Sequence, residues 1–447
     1  MSANGCPTTA PTLCGESTLA RGLCVPTEAD CSTRSEGSRP FPGMDTIVDS
    51  TGGGKTYGYA TTAKNLGRSC ITATIDYQQT YRHYDEIPDS FSLLTYNIWG
   101  MPKEQRFIDL FTIRTPLLFQ TLDRANADMY CFQEMSQESC QIMKPWIDKY
   151  PFASEPCLRL KDHEGKLTRN RAVEVYFVSK YRPMKITIYG IHGVLEYDNS
   201  FMVIEYPNLI IFNLYSQAGT SYSIGQERNK LHYARCRYDI LNVIYDMMPE
   251  DKSCILCGDI NFDLDGTIEE YPELEMIRKI QAKGFIDTYR SLHETEGWTE
   301  DTDLNLMRWN NKPGVDKKLR YDAIFYRAVI PSKIASSRMI GTELRDLTED
   351  QSKWFYEKMS GDFKHKRMDR LKGLKQTTTG YTLPINPSDH FGVMTSFYFI
   401  TQPRKNVRVN KSQGNRWTVR STIKPNGISK SQNKWTVRRR TRRSRRH

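Results

Sequence analysis

The chain has 447 residues, of which 38% are hydrophobic and 11% aromatic, enough for a sizeable core, and no apolar run is long enough for a transmembrane helix. Its formal net charge is +11, but residues 401–447 hold 16 Lys and Arg and no acidic residue, which leaves 47 basic against 52 acidic side chains elsewhere. The overall charge therefore describes the tail, and it excludes no substrate for the rest of the chain.

The first residues, MSANGCPTTAPTLCGE, lack the basic and apolar regions of a secretory signal. We therefore expect an intracellular protein, and the basic tail adds a nuclear or nucleic-acid-associated location as an alternative. The eleven cysteines are odd in number and irregularly spaced, which argues against a secreted disulfide framework. Cys254 and Cys257 form a C-x-x-C inside an apolar run without a second pair of zinc ligands, so we predict two buried strand cysteines.

Apolar runs and runs with alternating polarity indicate many short strands. The sequence predicts strands at residues 91–99, 127–135, 172–179, 209–216, 253–262, 321–327 and 393–400. Strands in this number, separated by only a few helices, favour sheets that pack on each other with the helices outside.

Three segments have apolar residues at helical spacing. The first is 115–125, where Thr115 is a candidate N-cap and Pro116 would occupy the first helical position. The second is 227–248, and the third, 349–375, is strongly basic. On the second helix we expect Arg235 and Arg237 to form a solvated face, because charged residues at helix positions are mostly exposed.

These patterns divide the chain into three regions. Residues 1–90 are rich in Ser, Thr, Gly and Cys without a clear period and are interpreted as an irregular N-terminal extension. Residues 91–400 form the folded domain, with a basic insertion near 345–380. Residues 401–447 have too few apolar residues to bury a core, so they are predicted to be a disordered basic tail.

Polar side chains lie on or directly after several predicted strands. They are Asn97, Glu134, Asp259, Asn261, Asp322, Asp389 and His390. A carboxylate on a buried strand is costly unless it is paired or bound to a metal, so we expect these strand ends to converge on one site. The set suits phosphoryl chemistry, because Mg²⁺ prefers carboxylate oxygen and a His beside an Asp can exchange protons near neutral pH.

The order of these motifs resembles that of the endonuclease/exonuclease/phosphatase (DNase I-like) superfamily. The resemblance rests on Asn, Glu, GDIN, RYDAIFYR and SDHFGV in the family's order, and it extends to FVSKYRP at 177–183 and GFIDTYR at 284–290, over about 310 residues. It implies an α+β fold, a four-layer αββα sandwich of two packed mixed β-sheets. It also implies a phosphoric ester hydrolase that depends on Mg²⁺, with Mn²⁺ as an alternative.

The resemblance implies a role for each strand-end residue on the metal side of the site. Glu134 would be the main metal ligand, with Asn97 beside it. Asp389 would complete the metal site or support it from behind.

On the catalytic side, the resemblance implies that Asp259 orients or deprotonates the attacking water and that Asn261 holds the phosphate or that water. His390 would contact the scissile phosphate and exchange protons. Asp322 would orient the imidazole of His390 through a hydrogen bond.

One position departs from much of the family. Residues 213–218 are NLYSQA, where many members have Asn-Thr-His-Leu-Gln-Ala, so Tyr215 stands in place of a His, as in the superfamily's abasic-site endonucleases. Strand alternation places Tyr215 on the same face as Asn213 and Gln217, so we predict that it points into the site. A Tyr hydroxyl, with a pKa of about 10, can donate to a phosphate oxygen but is a poorer acid than His.

The substrate is open between two classes. NIWGMP at 97–102 resembles a motif of neutral sphingomyelinases, which favours a phospholipid phosphodiester. The alternative is DNA or RNA, cleaved as an endonuclease or exonuclease. The basic tail does not decide between them, because it would bind nucleic acid by counterion release or anionic membrane equally well. A third hypothesis, of another class, is an inactive nucleic-acid-binding or packaging protein.

Overall fold

The computed structural model describes residues 72–100, 105–154, 174–192, 200–219, 227–305, 307, 317–363, 375–376 and 381–400. It also describes two antiparallel pairs of short strands nearer the N-terminus, Thr12–Leu13 with Cys24–Val25 and Thr46–Val48 with Lys55–Tyr57. None of the helices in the described ranges has the length and apolar character needed to cross a bilayer.

Two large sheets form the centre of the fold. In chain order their strands are β1 (Thr72–Thr80), β2 (Ser90–Gly100), β3 (Met129–Met135), β4 (Phe152–Ala153), β5 (Val175–Ser179), β6 (Lys185–His192), β7 (Ser200–Glu205), β8 (Leu209–Tyr215), β9 (Ser253–Asp259), β10 (Ile286–Asp287), β11 (Asp322–Arg327), β12 (Ser332–Ile340) and β13 (Gly392–Phe399). The helices are α1 (Gln105–Ala125), α2 (Gln137–Ile147), α3 (Glu227–Met247), α4 (Leu274–Ala282) and α5 (Glu349–Phe363).

Each large sheet is mixed. Sheet A has seven strands in the order β10-β11-β9-β8-β7-β6-β1, and sheet B has six in the order β12-β13-β2-β3-β5-β4. The pairs β8–β9 and β2–β3 are parallel, whereas the other pairs in both sheets are antiparallel. Three shorter ladders pair Glu300–Asp301 with Lys318–Leu319, Arg345–Asp346 with Pro384–Ile385, and Lys375–Gln376 with Tyr381–Thr382.

The core has three apolar layers, because alternate side chains of each strand point to opposite faces. On β8, Ile211 faces the seam between the sheets, whereas Phe212 faces α3 and α4. On β2, Leu93 faces the same seam, whereas Leu94 faces α1 and α2. The order helices, sheet A, sheet B, helices confirms the predicted α+β αββα sandwich.

The sandwich includes six strands that were not predicted from the sequence, β1, β4, β6, β7, β10 and β12, and β1 lies within the predicted N-terminal extension. β1 pairs antiparallel with β6 at the edge of sheet A, although residues 1–90 were interpreted as an irregular extension. Its sequence, TATIDYQQT, is largely polar and therefore gives no apolar strand pattern. Ile75, one of its few apolar residues, is 57% exposed.

The first predicted helix begins ten residues earlier than expected. α1 starts at Gln105, so Thr115 is not its N-cap; the Thr115 hydroxyl instead donates to the Phe111 carbonyl at 2.6 Å within the helix. Pro116 therefore lies in the helix interior, where proline is normally costly. Burial of Leu110 and Phe111 against the rest of the fold outweighs that local preference.

The other helices follow the sequence pattern more closely. α3 matches the predicted helix to within one residue, and the described part of the third prediction, α5, ends at Phe363. Residues 364–374 lie outside the described ranges, and Lys375–Gln376 is a strand rather than the end of the helix. Cys254 and Cys257 are both buried on β9, as predicted.

The prediction of a solvated arginine face on α3 is wrong. Arg235 and Arg237 are each 1% exposed. Arg237 pairs with Glu273, which is also buried and precedes α4, and Arg235 lies 3.6 Å from Asp239 one helical turn later. The helix spacing alone could not show this, because the acidic partner of Arg237 is distant in the chain.

Candidate active site

The predicted site residues meet at one end of the sandwich. The parallel pairs β2–β3 and β8–β9 place the carboxyl ends of these four strands at the same end of their sheets. The register aligns Tyr215 with Asp259 across β8 and β9, and Asp259 with Asp322 across β9 and β11. Residues from both sheets therefore lie around one space.

Asn97 joins the two sheets at this end. Its side-chain nitrogen donates to Glu134 Oε1 at 3.0 Å and to Asp259 Oδ2 at 2.9 Å, so the two carboxylates can be no farther apart than the sum of these lengths. The prediction that Asn97, Glu134 and Asp259 lie together is confirmed. The Asn97 oxygen accepts the backbone N–H of Trp99 at 2.9 Å, so in this arrangement its amide nitrogen, not its oxygen, faces the carboxylates.

A left-handed backbone conformation determines the direction of the side chain at two of the site residues. Glu134 has φ 55° and Asn261 has φ 60°, values that are uncommon for residues other than glycine and that recur at functional sites. At Glu134 this conformation interrupts the strand alternation, so Glu134 and its neighbour Gln133 both face the inter-sheet side while Met135 returns to the outer core.

His390 and Asp322 form a buried pair, as predicted. Nδ1 of His390 lies 2.8 Å from Asp322 Oδ2, and Nε2 lies 4.0 Å from Asp259 Oδ2. Both side chains are almost fully buried, and Oδ1 of Asp322 has no hydrogen-bond partner among the described residues. The bond to Asp322 fixes Nδ1 as a donor, so Nε2 is the nitrogen directed toward Asp259.

The buried charges shift one another's pKa values. Burial, and then the charge of Asp322, raise the pKa of Asp259 to about 8. Burial alone lowers the pKa of His390, but the charges of Asp322 and Asp259 outweigh it and raise that pKa to about 10. Burial and the charge of Asp389 raise the pKa of Glu134. At neutral pH the site therefore contains an imidazolium beside carboxyl groups that hold protons unusually tightly.

Asn261 and Asp389 are placed by loop contacts. The Asn261 backbone N–H donates to Asp259 Oδ1 at 2.9 Å, and its side-chain nitrogen donates to the Ser216 carbonyl at 2.9 Å. The Ser388 hydroxyl lies 2.7 Å from the Asn97 carbonyl and 3.4 Å from Asp389 Oδ1, which ties the loop before β13 to the end of β2.

Tyr215 points into the site, as strand alternation predicts. Its hydroxyl donates to Glu134 Oε1 at 2.9 Å. Burial, followed by the charges of Glu134 and Glu174, raises its pKa well above the ordinary value, so the hydroxyl remains a donor at any physiological pH. Glu174 was not singled out from the sequence, although it lies inside the predicted strand 172–179; in the structure it precedes β5.

A polar layer beneath the site was also missed. Gln133 donates to Thr95 Oγ1 at 3.0 Å and to Asn213 Oδ1 at 2.8 Å, which links sheet B to sheet A. Thr95 and Asn213 lie two residues before Asn97 and Tyr215 on the same strand faces, so alternation would have found them. Buried groups satisfied in this way fix the relative position of the two sheets.

Thr299 was missed for a different reason, since it lies on a loop without a motif. Its hydroxyl accepts the backbone N–H groups of Tyr321 and Asp322 at 3.0 Å each, and its carbonyl accepts that of Phe391 at 2.8 Å. It thereby connects the start of β11 to the residue after His390.

The donor set fits a divalent cation with oxygen ligands. Within the described residues, one atom each from Asp259, Asp322 and His390 lie within 4.8 Å of one another. The Asp322–His390 hydrogen bond already occupies two of these atoms, so Glu134, which lies outside that pair, is a carboxylate that could hold a cation. Buried carboxyls with raised pKa values gain most from a positive charge beside them.

The same charges predict how a cation affects stability. The raised pKa of Asp259 means that its contribution to stability is lost as pH rises from about 4 through about 8, and that of His390 as pH rises from about 6.5 through about 10. The metal-free protein should therefore become less stable between about pH 6.5 and 8. Binding of a cation requires deprotonated carboxylates, so it is favoured over the same range.

We expect Mg²⁺ to raise the melting temperature more at pH 8 than at pH 6. Thermal denaturation with and without Mg²⁺ at the two pH values measures the difference, and Glu134→Gln is the control that should lose most of it. An equal Mg²⁺ shift at both pH values would contradict the assignment of the carboxyls to the cation site.

No family model and no curated protein matches this sequence. Solved structures are similar to it. Beta toxin 275-280 from Staphylococcus aureus is 17% identical, covering 68% of this chain and 99% of that one, with a TM-score of 0.45. TDP2 from D. rerio, complexed with single-strand DNA product, is 16% identical, covering 69% and 98%, with a TM-score of 0.38.

A third similar structure is an endonuclease/exonuclease/phosphatase family protein from Bacteroides thetaiotaomicron, which is 12% identical and covers 70% of this chain and 98% of that one, with a TM-score of 0.41. At these identities no residue role is carried over from any of the three.

Proposed function

We propose that this protein is a metal-dependent phosphoesterase of the endonuclease/exonuclease/phosphatase superfamily that hydrolyses a phosphodiester. The observation that supports it best is the buried His390–Asp322 pair lying against the Asn97–Glu134–Asp259 cluster. An imidazolium, a carboxyl that can take up protons and a set of oxygen ligands within one space are the groups that such a reaction requires.

Glu134, Asp389 and Asn97 would hold the cation, Mg²⁺ or alternatively Mn²⁺. When bound, the ion would neutralise phosphate charge and lower the pKa of water at the site. Asn97 would be a direct ligand only if its side-chain amide rotated to direct the oxygen at the cation. In the present orientation its amide nitrogen holds Glu134 and Asp259 in place through hydrogen bonds.

The protein's own groups would then move the protons. Asp259 would accept a proton from the attacking water at pH values near or above its pKa of about 8, where it is ionised and is a stronger base than an ordinary carboxylate. His390, kept charged and oriented by Asp322, would donate from Nε2 to a phosphate or leaving-group oxygen. Asn261 would orient the phosphate or the water from its position beside Asp259.

A substrate panel tests this proposal. Purified protein would be assayed on bis-p-nitrophenyl phosphate, plasmid, abasic oligonucleotide, sphingomyelin and inositol phosphates, with Mg²⁺, with Mn²⁺ and with a chelator. We expect turnover of at least one phosphodiester that the chelator abolishes. Absence of metal-dependent turnover on every substrate would favour the inactive packaging protein instead.

We favour a phospholipid-like phosphodiester, with nucleic acid as the second candidate. The support is NIWGMP, whose Trp99 lies beside the site through its backbone bond to Asn97. Preferential cleavage of sphingomyelin in the panel would support the first candidate, and preferential cleavage of plasmid or oligonucleotide would support the second.

Tyr215→Phe tests whether the hydroxyl acts in the reaction. We expect kcat to fall by about 10²–10³, the usual effect of losing one donor that strengthens in the transition state, with little change in KM. The matched control is Tyr238→Phe on α3, whose hydroxyl bonds to Lys279 away from the site. Unchanged kcat in Tyr215→Phe would mean that its bond to Glu134 has no part in turnover.

Residues 401–447 are proposed to bind a polyanion, either nucleic acid or anionic membrane. A protein truncated after Ile400 should hydrolyse bis-p-nitrophenyl phosphate at the full rate but lose salt-sensitive binding to DNA or to phosphatidylserine vesicles, because it lacks 16 positive charges. Loss of small-substrate turnover on truncation would contradict this division of roles.

A further inference from the structure

A buried arginine from α1 lies between the end of β2 and the loop before β13. Arg114 is 1% exposed, and its two terminal nitrogens donate to the Trp99 and Pro387 carbonyls. Its guanidinium carbon lies 5.3 Å from the Trp99 ring centroid and 4.7 Å from that of Phe111. One side chain therefore connects the end of β2 to the segment that leads into Asp389 and His390.

Two other buried arginines near the site show what is unusual about Arg114. Arg237 bonds to the carboxylate of Glu273 at 2.6 Å, and Arg320 bonds to Asp265 and Asp287 at 3.0 Å and 2.7 Å. Their charges are thus neutralised by carboxylates outside the cation site.

Among the residues that the structure describes, no carboxylate forms an ion pair with Arg114. Its hydrogen bonds go to backbone carbonyls, and its Nε has no hydrogen-bond partner among the described residues. The acids whose charges act on it are Asp389 and Glu134, both assigned above to the cation site. A buried charge is costly unless it is compensated, so the counter-charge of Arg114 is the site itself.

We propose that Arg114 is a positioning residue for the reaction: it holds the end of β2 at Trp99 and the loop at Pro387 at a fixed spacing and places a positive charge near Asp389 and Glu134. This inference rests on the proposed function. At 1% exposure the guanidinium does not reach substrate, so it acts through the residues that it holds.

Arg114→Met, which keeps the bulk but loses charge and donors, is the first test. We expect kcat to fall about 10–100-fold with KM changed less than about threefold, as for residues that orient metal ligands. Arg114→Lys keeps the charge but cannot bond both carbonyls in the fork geometry of a guanidinium. Its kcat should therefore lie between the kcat of the wild type and that of Arg114→Met. Arg235→Met, which removes an equally buried arginine from α3, should lower the melting temperature but leave kcat unchanged.

Hydrogen exchange supplies a measurement that does not depend on activity. In the metal-free protein, Arg114→Met should speed exchange at the backbone N–H groups of Trp99 and His390, which bond to Asn97 and Ser388 within these two segments. The control Arg235→Met should leave both unchanged. If exchange is unaffected in Arg114→Met, Arg114 does not hold the two segments, whatever the protein's activity.

Chemical rescue separates charge from hydrogen bonding. Arg114→Ala leaves a cavity that guanidinium can fill at concentrations far below those that unfold proteins, and urea has the same planar shape and donors without the charge. We expect guanidinium to restore kcat in part and urea to restore little. Equal rescue by urea would overturn the inference, and so would a kcat in Arg114→Met no lower than that in Arg235→Met. Neither result would contradict the proposed function, which is tested by the turnover of the wild-type protein.

Discussion

Replacing Glu134 with Gln should lower metal-dependent turnover by roughly 10³-fold or more, and it should raise the melting temperature of the metal-free protein. Gln has nearly the same shape and keeps an oxygen that can accept from Asn97 and Tyr215, the two donors to Glu134 Oε1. It lacks the charge that holds a cation. It also removes a buried carboxyl whose pKa is raised by burial and by Asp389, which is an unfavourable interaction in the absence of metal.

The measurement is kcat on bis-p-nitrophenyl phosphate across a Mg²⁺ titration, together with thermal denaturation in chelator. Glu269→Gln, at an exposed position after β9, is the control and should change neither. A Glu134→Gln protein that is inactive only because it is unfolded would show a lowered melting temperature. Full activity with a raised melting temperature would remove Glu134 from the cation site.

Asp322→Asn should lower kcat by about 10³–10⁴, the effect known for an Asp that fixes the tautomer of a catalytic His. The present bond makes Nδ1 of His390 a donor to Asp322 at 2.8 Å, and the charge of Asp322 helps to keep the imidazole protonated. An amide at 322 removes that charge and can donate to Nδ1, which would leave a neutral imidazole with its proton on Nε2, a much weaker acid than the imidazolium. The basic limb of the kcat profile should accordingly move to lower pH.

A double variant tests whether the two residues act as a unit. Combining Asp322→Asn with His390→Gln should be no slower than His390→Gln alone, since Asp322 acts only through the imidazole. Asp303→Asn is the control, because Asp303 pairs with Lys318 at the surface and has no contact with His390. Multiplicative losses in the double variant would show that Asp322 has a role independent of His390.

The sequence predicts which residues lie at the site better than it predicts the backbone conformation and the buried contacts that hold them there. Glu134, Asp259 and Asp322 could be placed together because each follows or begins an apolar strand, and neighbouring strand ends share a sheet edge. The left-handed backbone of Glu134 could not be predicted, because it depends on the turn into α2 and not on a residue type that favours it.

The buried arginines show the limit most clearly. Arg237 is separated from Glu273 by 36 residues, and Arg114 from Pro387 by 273, so no local pattern reveals either contact. The start of α1 was misplaced for a related reason, since Pro116 is a strong local signal for a helix N-terminus and tertiary burial outweighs it. Local preferences were sufficient for the seven predicted strands, which are short and apolar, but not for the other six strands of the two sheets or for charged residues whose partners come from another layer.

The position of β13 in sheet B determines when that sheet can be completed during synthesis. This last strand of the domain lies between β12 and β2, in the interior of sheet B, and β2 is the first strand of that sheet in the chain. During synthesis β2 and β3 can pair early, but β2 keeps an open edge until β13 arrives nearly 300 residues later. Such long-range pairing is slow and leaves an unprotected strand edge in the meantime. Because His390 lies just before β13, it reaches its place beside Asp322 only after the sheet is closed, so the proposed hydrolysis would begin only when the domain is complete.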